Sequence, residues 1–139
     1  MTAKDIMTKN VVTVKKDTPV EEIINVLLTK GISGVPVIDD ENNLVGVVSE
    51  ADLIYKEKSV LPISSYLNNK KKFMKDYRKV FATKADEIMT ANVITATEDT
   101  TVEELATVML EKRIKRIPIV QNKKLVGIVS RADIIKTLF

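Results

Sequence analysis

The strongest constraint on this chain is that most of it occurs twice. Ile6-Met7-Thr8 returns 82 residues later as Ile88-Met89-Thr90. Ser49-Glu50-Ala51-Asp52 returns 81 residues later as Ser130-Arg131-Ala132-Asp133, because the second copy lacks one residue near Asn122. A copy of about 50 residues is marginal as an independent domain, so we expect the two copies to pack together.

The two copies share one predicted order of elements, β-α-β-β-α. In the first copy, Thr18 and Pro19 suit the N-cap and first position of a helix, and Gly31 suits its end. Short apolar and β-branched runs before and after this helix indicate strands. The first copy is therefore predicted to have strand 11–14, a helix from Thr18 to Gly31, strands 35–38 and 44–48, and a helix from 49 to about 58. The second copy is predicted to have strand 93–96, helix 101–112, strands 117–120 and 125–129, and a helix from 131 to the end, which defines an α/β (α+β) fold class.

The composition excludes several chemistries. The 139 residues include no cysteine and no histidine, which removes disulfides, thiolates and the commonest general base and metal ligand. No Walker-type phosphate loop or dense acidic cluster is present, so we expect neither an enzyme nor a metal site. The net charge of +3 permits anionic ligands without requiring nucleic acid. No apolar run is long enough to span a membrane, and the first residues have no signal-like apolar core, so we expect a cytoplasmic protein.

Each Ser-x-x-Asp sequence stands where an apolar strand runs into a predicted helix. A serine at such a junction can cap the helix, and an aspartate in the first turn is favoured by the helix dipole. Ser49 with Asp52, and Ser130 with Asp133, are therefore suited to helix capping. The alternative is that each aspartate also binds hydroxyl groups of a ligand, and the residues alone leave both interpretations open.

Residues 59–85 form an insert that has no counterpart in the repeat. Phe73, Tyr77 and Phe81 recur every four residues and predict one aromatic stripe on a helix. This stripe either packs the insert onto the core or forms a contact with a second copy or an effector. Lysines around 70–72 make another face basic, which indicates either a solvated surface or a site for nucleic acid or cyclic di-AMP.

Taken together, the repeated features resemble a tandem pair of CBS domains, also called a Bateman module. The features are Asp-Ile-Met-Thr and Glu-Ile-Met-Thr, Val-Pro-Val and Ile-Pro-Ile, and a Leu-Val-Gly strand followed by Ser-x-x-Asp. The resemblance assigns residues 1–58 to the first repeat, 59–85 to the helical insert and 86–139 to the second repeat. It implies two repeats related by a pseudo-twofold axis, two clefts between them, association into a homodimer, and adenosine-containing ligands such as AMP, ADP, ATP or S-adenosylmethionine.

The resemblance also implies the residues of two ligand clefts. In the first cleft Asp52 would accept from ribose hydroxyls beside Ser49, with Lys115 and Arg116 placed to contact phosphate. The facing wall of this cleft would come from the second repeat, through Thr90, Asn92, Ile94, Ile114 and Pro118. The second cleft would use Ser130 and Asp133, faced by Thr8, Asn10, Val12, Ser33, Gly34, Val35 and Pro36. Because Ser33 and Gly34 replace the basic pair, the second cleft is expected to attract phosphate less strongly.

These implications favour a regulatory sensor that binds an adenosine-containing ligand and signals through its conformation or association. The adenine nucleotide would be a regulatory ligand, and no cofactor would be required. No effector domain accompanies the repeats, so the output would reach a separate effector protein or a homodimer contact. The alternatives are a dimerisation or adaptor scaffold that binds no ligand, and a nucleic-acid adaptor that uses the basic insert.

Overall fold

A computed structural model of the chain describes residues 1–54 and 83–138. The expected end of the helix near 58 and the aromatic and basic faces of the insert lie outside these residues. In chain order, the helices of the described ranges are α1 (Ala3–Ile6), α2 (Val20–Lys30), α3 (Glu50–Ile54), α4 (Ala85–Ile88), α5 (Val102–Lys112) and α6 (Arg131–Lys136). The strands of the same ranges are β1 (Val14–Lys15), β2 (Gly34–Ile38), β3 (Leu44–Ser49), β4 (Arg116–Gln121) and β5 (Lys124–Ser130).

The chain divides into two compact units that do not coincide with the two sequence copies. One unit, here called the Asp52 unit, comprises Thr13–Asp40 and Val45–Val93, within the ranges described above. The other, the Asp133 unit, comprises Met1–Val12, Glu41–Leu44 and Ile94–Phe139. Each unit therefore joins the body of one copy to the first residues of the other copy, here called its leading segment. The leading segments are residues 1–12 for the first copy and residues 83–93 for the second copy.

Backbone hydrogen bonds at the start of the longest helices explain this exchange of leading segments. In the Asp133 unit, Val102 N–H donates to the Met1 carbonyl at 3.1 Å, and Ala3 N–H donates to the Thr100 carbonyl at 2.8 Å. In the Asp52 unit, Val20 N–H donates to the Thr83 carbonyl at 2.9 Å in the equivalent position. The first N–H groups of a helix have no partner within the helix, and the leading segments supply one.

The Asp52 unit is built on a three-stranded sheet in the order β1-β2-β3. β1 is parallel to β2, with Val14 opposite Val37, and all five residues of β2 are buried. The apolar face of α2, formed by Val20, Ile23 and Leu27, is also buried, as its helical spacing predicts. The helix ends at Gly31, whose φ of 61° is in the left-handed region that favours glycine.

Two local expectations for this unit differ from the structure. β1 covers only Val14 and Lys15 rather than 11–14. The N-cap of α2 is Pro19 rather than Thr18, because the Thr18 hydroxyl accepts from the Lys15 N–H at 2.9 Å in the preceding turn. A threonine hydroxyl competes between such local turns and a helix cap, and here the turn prevails.

The Asp133 unit is built on an antiparallel hairpin of β4 and β5. Its core consists of Ala3, Leu105, Met109, Ile117, Ile119 and Val129. Thr101 caps α5 by accepting from the Glu104 N–H at 3.2 Å, so the helix begins at Val102 rather than at the predicted Thr101. Arg113 ends this helix with a φ of 54°, in the place that Gly31 occupies in the first copy. The predicted strand 93–96 is reduced to a single parallel bridge between Ala96 and Ile119.

The helices of the described ranges are too short to cross a lipid bilayer, since the longest have 11 residues.

Candidate functional site

Both Ser-x-x-Asp motifs join the end of a strand to the first turn of a helix, with the serine bonded to the aspartate. Ser49 ends β3 and its N–H donates to Asp52 Oδ2 at 2.8 Å, while its hydroxyl lies 3.2 Å from the same oxygen. Ser130 ends β5 and repeats these contacts with Asp133 Oδ2 at 2.8 and 3.1 Å. The Asp133 N–H also donates to the Ser130 hydroxyl at 3.3 Å, which completes a capping box. The capping interpretation is therefore confirmed for Ser130, and at both motifs the bonds from the serine reach the Oδ2 atom of the carboxylate.

The two carboxylates differ in burial. Asp52 is only 2% exposed, and it is the buried charged residue of the described ranges. Asp133 is only partly buried. Burying an ionised carboxylate is costly unless donors surround it, so the surroundings of Asp52 must supply more hydrogen bonds than those of Asp133.

Threonines from the leading segments distinguish the two motifs further. The Thr90 N–H donates to the Val47 carbonyl at 2.9 Å, and the Val47 N–H donates to the Thr90 carbonyl at 3.0 Å. The Thr90 hydroxyl also donates to Asp52 Oδ1 at 3.4 Å. Thr8 pairs its backbone with Ile128 in the same way, at 2.9 and 3.0 Å. Within the described ranges, however, the Thr8 hydroxyl makes no hydrogen bond to Asp133. The two oxygens of Asp52 thus both have donors, whereas the bonds that Asp133 accepts all reach Oδ2.

A glycine in each strand allows the leading segments to approach so closely. A Cβ atom on Gly46 would lie 2.8 Å from Met89 Cγ and 3.0 Å from the Thr90 carbonyl oxygen. A Cβ atom on Gly127 would meet Met7 in the same way. Sequence reasoning did not find these contacts, although a repeated Met and a repeated Gly are the signal for them, since a close backbone approach often requires glycine.

The basic pair, Lys115 and Arg116, lies in the Asp133 unit, whereas Asp52 lies in the other unit. Arg116 is opposite Ser130 in the antiparallel register of β4 and β5. The Arg131 N–H donates to the Lys115 carbonyl at 3.1 Å. The reason is that a hairpin brings the start of its first strand beside the end of its second strand. Within one unit, the structure therefore groups Lys115 and Arg116 with Ser130 and Asp133.

The corresponding segment of the first copy lies beside Ser49 rather than in the unit of Asp133. The Glu50 N–H donates to the Ser33 carbonyl at 3.0 Å, and Gly34, Val35 and Pro36 continue from there into the buried strand β2. The Asp52 motif thus has Ser33 and Gly34 where the Asp133 motif has Lys115 and Arg116. Within the two units the uncharged pair therefore lies with Asp52 and the basic pair with Asp133, and which of the two pairs contacts a ligand phosphate stays a prediction.

The remaining predicted residues are distributed between the two units. Asn92 lies in the Asp52 unit with Thr90, and both are exposed. Thr8, Asn10 and Val12 lie in the Asp133 unit, where the first two are exposed. Ile94, which is 37% exposed, also lies in that unit together with Ile114 and the buried Pro118. Thr90 therefore contacts the motif of the other copy and Thr8 contacts the strand that leads into it, while segments 33–36 and 114–118 lie in the same unit as the motif of their own copy.

The comparison with protein families agrees with this repeated architecture. The family model of the CBS domain matches twice, over residues 3–58 and 85–139, and the chain belongs to this family. The uncharacterized protein MJ1426 of Methanocaldococcus jannaschii is 34% identical over 154 residues, which cover 99% of this chain and 91% of that protein. CBS-domain pairs are regulatory modules, and the fold and repeated motifs of this chain define it as one.

Two similar solved structures contain adenosine-based ligands. One is CBSX2, a CBS domain-containing protein of Arabidopsis thaliana, in complex with AMP. It is 31% identical to this chain with a TM-score of 0.77, and the match covers 99% of this chain and 95% of that chain. The other is the CBS domain pair of protein MJ0100 in complex with 5′-methylthioadenosine and S-adenosyl-L-methionine, with 28% identity, a TM-score of 0.74 and the same coverage. In both of these structures a CBS protein holds an adenosine-based ligand.

Similarity to an enzyme is confined to a minor part of that enzyme. Inosine-5′-monophosphate dehydrogenase of M. jannaschii is 35% identical over 135 residues, which cover 96% of this chain but 23% of the enzyme. The described residues contain no group of three or more acidic side chains placed to hold a metal ion. The enzyme's activity therefore does not transfer to this chain by similarity.

Proposed function

We propose that this chain is a regulatory sensor that binds an adenosine-containing ligand at its Ser-x-x-Asp motifs. The observation that carries the proposal is the geometry of Asp133, whose Oδ2 is held by Ser130 while the hydrogen bonds it accepts leave Oδ1 unused. Two family members of known structure bind such ligands, AMP in one and S-adenosylmethionine with methylthioadenosine in the other.

A carboxylate in this position suits the two adjacent hydroxyls of a ribose. It offers only acceptors, and hydrogen bonds to an ionised acceptor are stronger than neutral ones. The bonds from Ser130 fix its orientation in advance, so a ligand does not have to order the side chain on binding. The ligand is regulatory, and no further cofactor is required for its binding.

For binding to regulate anything, the ligand must distinguish two states of the module, since equal affinity for both shifts nothing. The leading segment of the other copy contacts Asp52 through Thr90, and through Thr8 it pairs with β5 two residues before Ser130. A ligand at a motif therefore acts where segments of both copies meet within one unit. The output passes to a separate effector protein or to a second copy of the chain in the cytoplasm.

Two exposed leucines support a homodimer. Leu28 of α2 is 78% exposed and Leu110 of α5 is 80% exposed, and they are equivalent positions of the two copies. Burying these two apolar side chains against a second copy would be favourable, since it removes apolar surface from water. Light scattering should show a dimer that Leu28→Lys with Leu110→Lys converts to a monomer, whereas the control Glu21→Lys with Glu103→Lys should leave it intact. A wild-type monomer at all concentrations would contradict this part of the proposal.

Calorimetric titration tests the proposed ligand. AMP, ADP, ATP, S-adenosylmethionine, NADH and cyclic di-AMP are titrated into the wild-type protein after removal of any co-purified nucleotide. We expect micromolar binding of at least one of them, and loss of that binding in Asp52→Ala or Asp133→Ala. The matched controls Asp17→Ala and Asp99→Ala replace exposed aspartates at equivalent positions outside the motifs and should bind normally. Binding of no ligand would refute the sensor and leave the scaffold as the working function.

A further inference from the structure

We propose that Met7 and Met89 are sites of reversible oxidation, at which a hydroperoxide loosens the two leading segments from the strands that they pack against. The two residues occupy the same place in the two segments, within the repeated sequence Ile-Met-Thr. The inference is independent of the proposed adenosine ligand, because it concerns the contacts that hold each unit together.

Each of these methionines packs its sulfur atom against a glycine of the neighbouring strand. The nearest atom to the position that a Cβ would take on Gly46 is the Met89 sulfur, followed by Met89 Cγ at 2.8 Å. The order is the same for Gly127 and Met7, again with Cγ at 2.8 Å. Both glycines are buried, whereas both methionines retain some exposed surface. Each methionine therefore combines a tight contact with a strand and access from solvent.

A thioether with access from solvent reacts with hydrogen peroxide or an organic hydroperoxide. The sulfur bonds to one peroxide oxygen, the O–O bond breaks, and the proton of the transferred oxygen passes to the leaving oxygen, which departs as water or an alcohol. The sulfur is thereby oxidised to a sulfoxide and the peroxide is reduced. The chain contains no cysteine, so its five methionines carry all of its sulfur.

The other methionines of the described ranges differ from this pair in exposure. Met1 is 73% exposed, so a sulfoxide oxygen there would remain in water. Met109 is 4% exposed and belongs to the core of the Asp133 unit, where a peroxide has little access. Met7 and Met89 are thus the methionines of these ranges that an oxidant can reach and whose oxidation changes a packed contact.

A sulfoxide would weaken this contact because it places a polar oxygen on the atom that packs against the strand. A polar group that is buried without a hydrogen bond lowers stability. The residues that follow, Thr8 and Thr90, pair their backbones with β5 and β3 at 2.9 and 3.0 Å, so a displaced methionine strains these bonds directly. Oxidation of Met89 should also disturb the bond from the Thr90 hydroxyl to Asp52 Oδ1.

Treatment of the full chain with hydrogen peroxide, followed by peptide mass spectrometry and urea unfolding, tests the proposal. We expect oxidation of Met1, Met7 and Met89 under conditions in which Met109 stays reduced. The midpoint of urea unfolding should fall by about 1 M, as for other buried polar groups without partners. Methionine sulfoxide reductases A and B, with dithiothreitol as reductant, should restore the midpoint, because together they reduce both sulfoxide epimers.

The matched control is Met7→Leu with Met89→Leu, which keeps a similar side-chain volume without sulfur. This variant retains Met1, Met109 and Met74, the last of which lies outside the described residues. Its urea midpoint should not change on peroxide treatment. If the double variant does not fold, each single variant should show a smaller peroxide-induced shift than the wild-type protein.

Three results would overturn the inference. They are oxidation of Met7 and Met89 without a change in the urea midpoint, an equal peroxide-induced shift in the wild-type protein and the double variant, and resistance of Met7 and Met89 to peroxide equal to that of Met109. None of these results bears on the adenosine ligand, whose binding is tested separately by calorimetry.

Discussion

Replacing Gly46 by alanine should destabilise the Asp52 unit by overpacking the contact between β3 and the leading segment of the second copy. The new Cβ would lie 2.8 Å from Met89 Cγ and 3.0 Å from the Thr90 carbonyl oxygen. Carbon atoms in favourable contact are separated by about 3.5–4.0 Å, so Met89 would have to move by about 1 Å. The Thr90 carbonyl has less freedom, because it accepts from the Val47 N–H at 3.0 Å. Added methyl groups in well-packed sites cost about 1–3 kcal/mol, and we expect a loss in that range.

Urea unfolding followed by circular dichroism measures this loss. With a typical slope of about 1–3 kcal/mol per molar urea, the midpoint should fall by about 1 M. Met89→Ala in the Gly46→Ala background relieves the clash with the side chain, so the two changes should be non-additive by at least about 0.5 kcal/mol. An unchanged midpoint for Gly46→Ala, or strict additivity with Met89→Ala, would refute the reasoning that this glycine is required by the close approach of Met89.

The ends of the two long helices and the carboxyl group of Asp5 lead to further predictions. Gly31→Ala should lower the free energy of unfolding by about 1 kcal/mol, because the φ of 61° at this position strains any side chain. Arg113→Gly should raise it by up to about 1 kcal/mol, because Arg113 has a similar φ at the equivalent turn. Thermal unfolding measures both changes, and effects of equal size in the same direction would contradict the prediction. The Thr2 backbone N–H, at 2.8 Å, is the main reason why the pKa of Asp5 lies below its usual range, so Thr2→Ala should leave that pKa lowered when it is followed by NMR titration. Because the pKa is lowered by folding, the contribution of Asp5 to stability is present above its unfolded pKa and is lost as the pH falls through the folded pKa.

The sequence was most informative where the repeat and helical periodicity act together. The end of α2 at Gly31 and the end of α5 at Lys112 follow from local patterns that a short stretch of sequence contains. The membership of the chain in the CBS family could likewise be predicted, because the motifs recur in the same order in both copies.

The grouping of the site residues could not be obtained in this way. The family resemblance implied that Thr90 faces Asp52 and that Thr8 faces Asp133, but periodicity and composition did not indicate that segments 1–12 and 83–93 would join the body of the opposite copy, since that exchange depends on backbone bonds such as Val102 to Met1. It also did not reveal that Asp52 is buried and contacted by Thr90 while Asp133 is not, because the two tetrapeptides differ only in Glu50 and Arg131. Tertiary contacts of this kind distinguish positions that local sequence treats as equivalent.

The central claim is that a carboxylate of this chain binds ribose hydroxyls, and removal of one hydroxyl from the ligand tests it most directly. AMP and 2′-deoxy-AMP are titrated into the wild-type protein and into Asp133→Asn. We expect 2′-deoxy-AMP to bind the wild-type protein about tenfold more weakly than AMP, since a hydrogen bond to a charged acceptor is lost. In Asp133→Asn the difference between the two ligands should shrink to about twofold or less, because the carboxylate that distinguishes them is gone. Equal binding of AMP and 2′-deoxy-AMP by the wild-type protein would contradict the account.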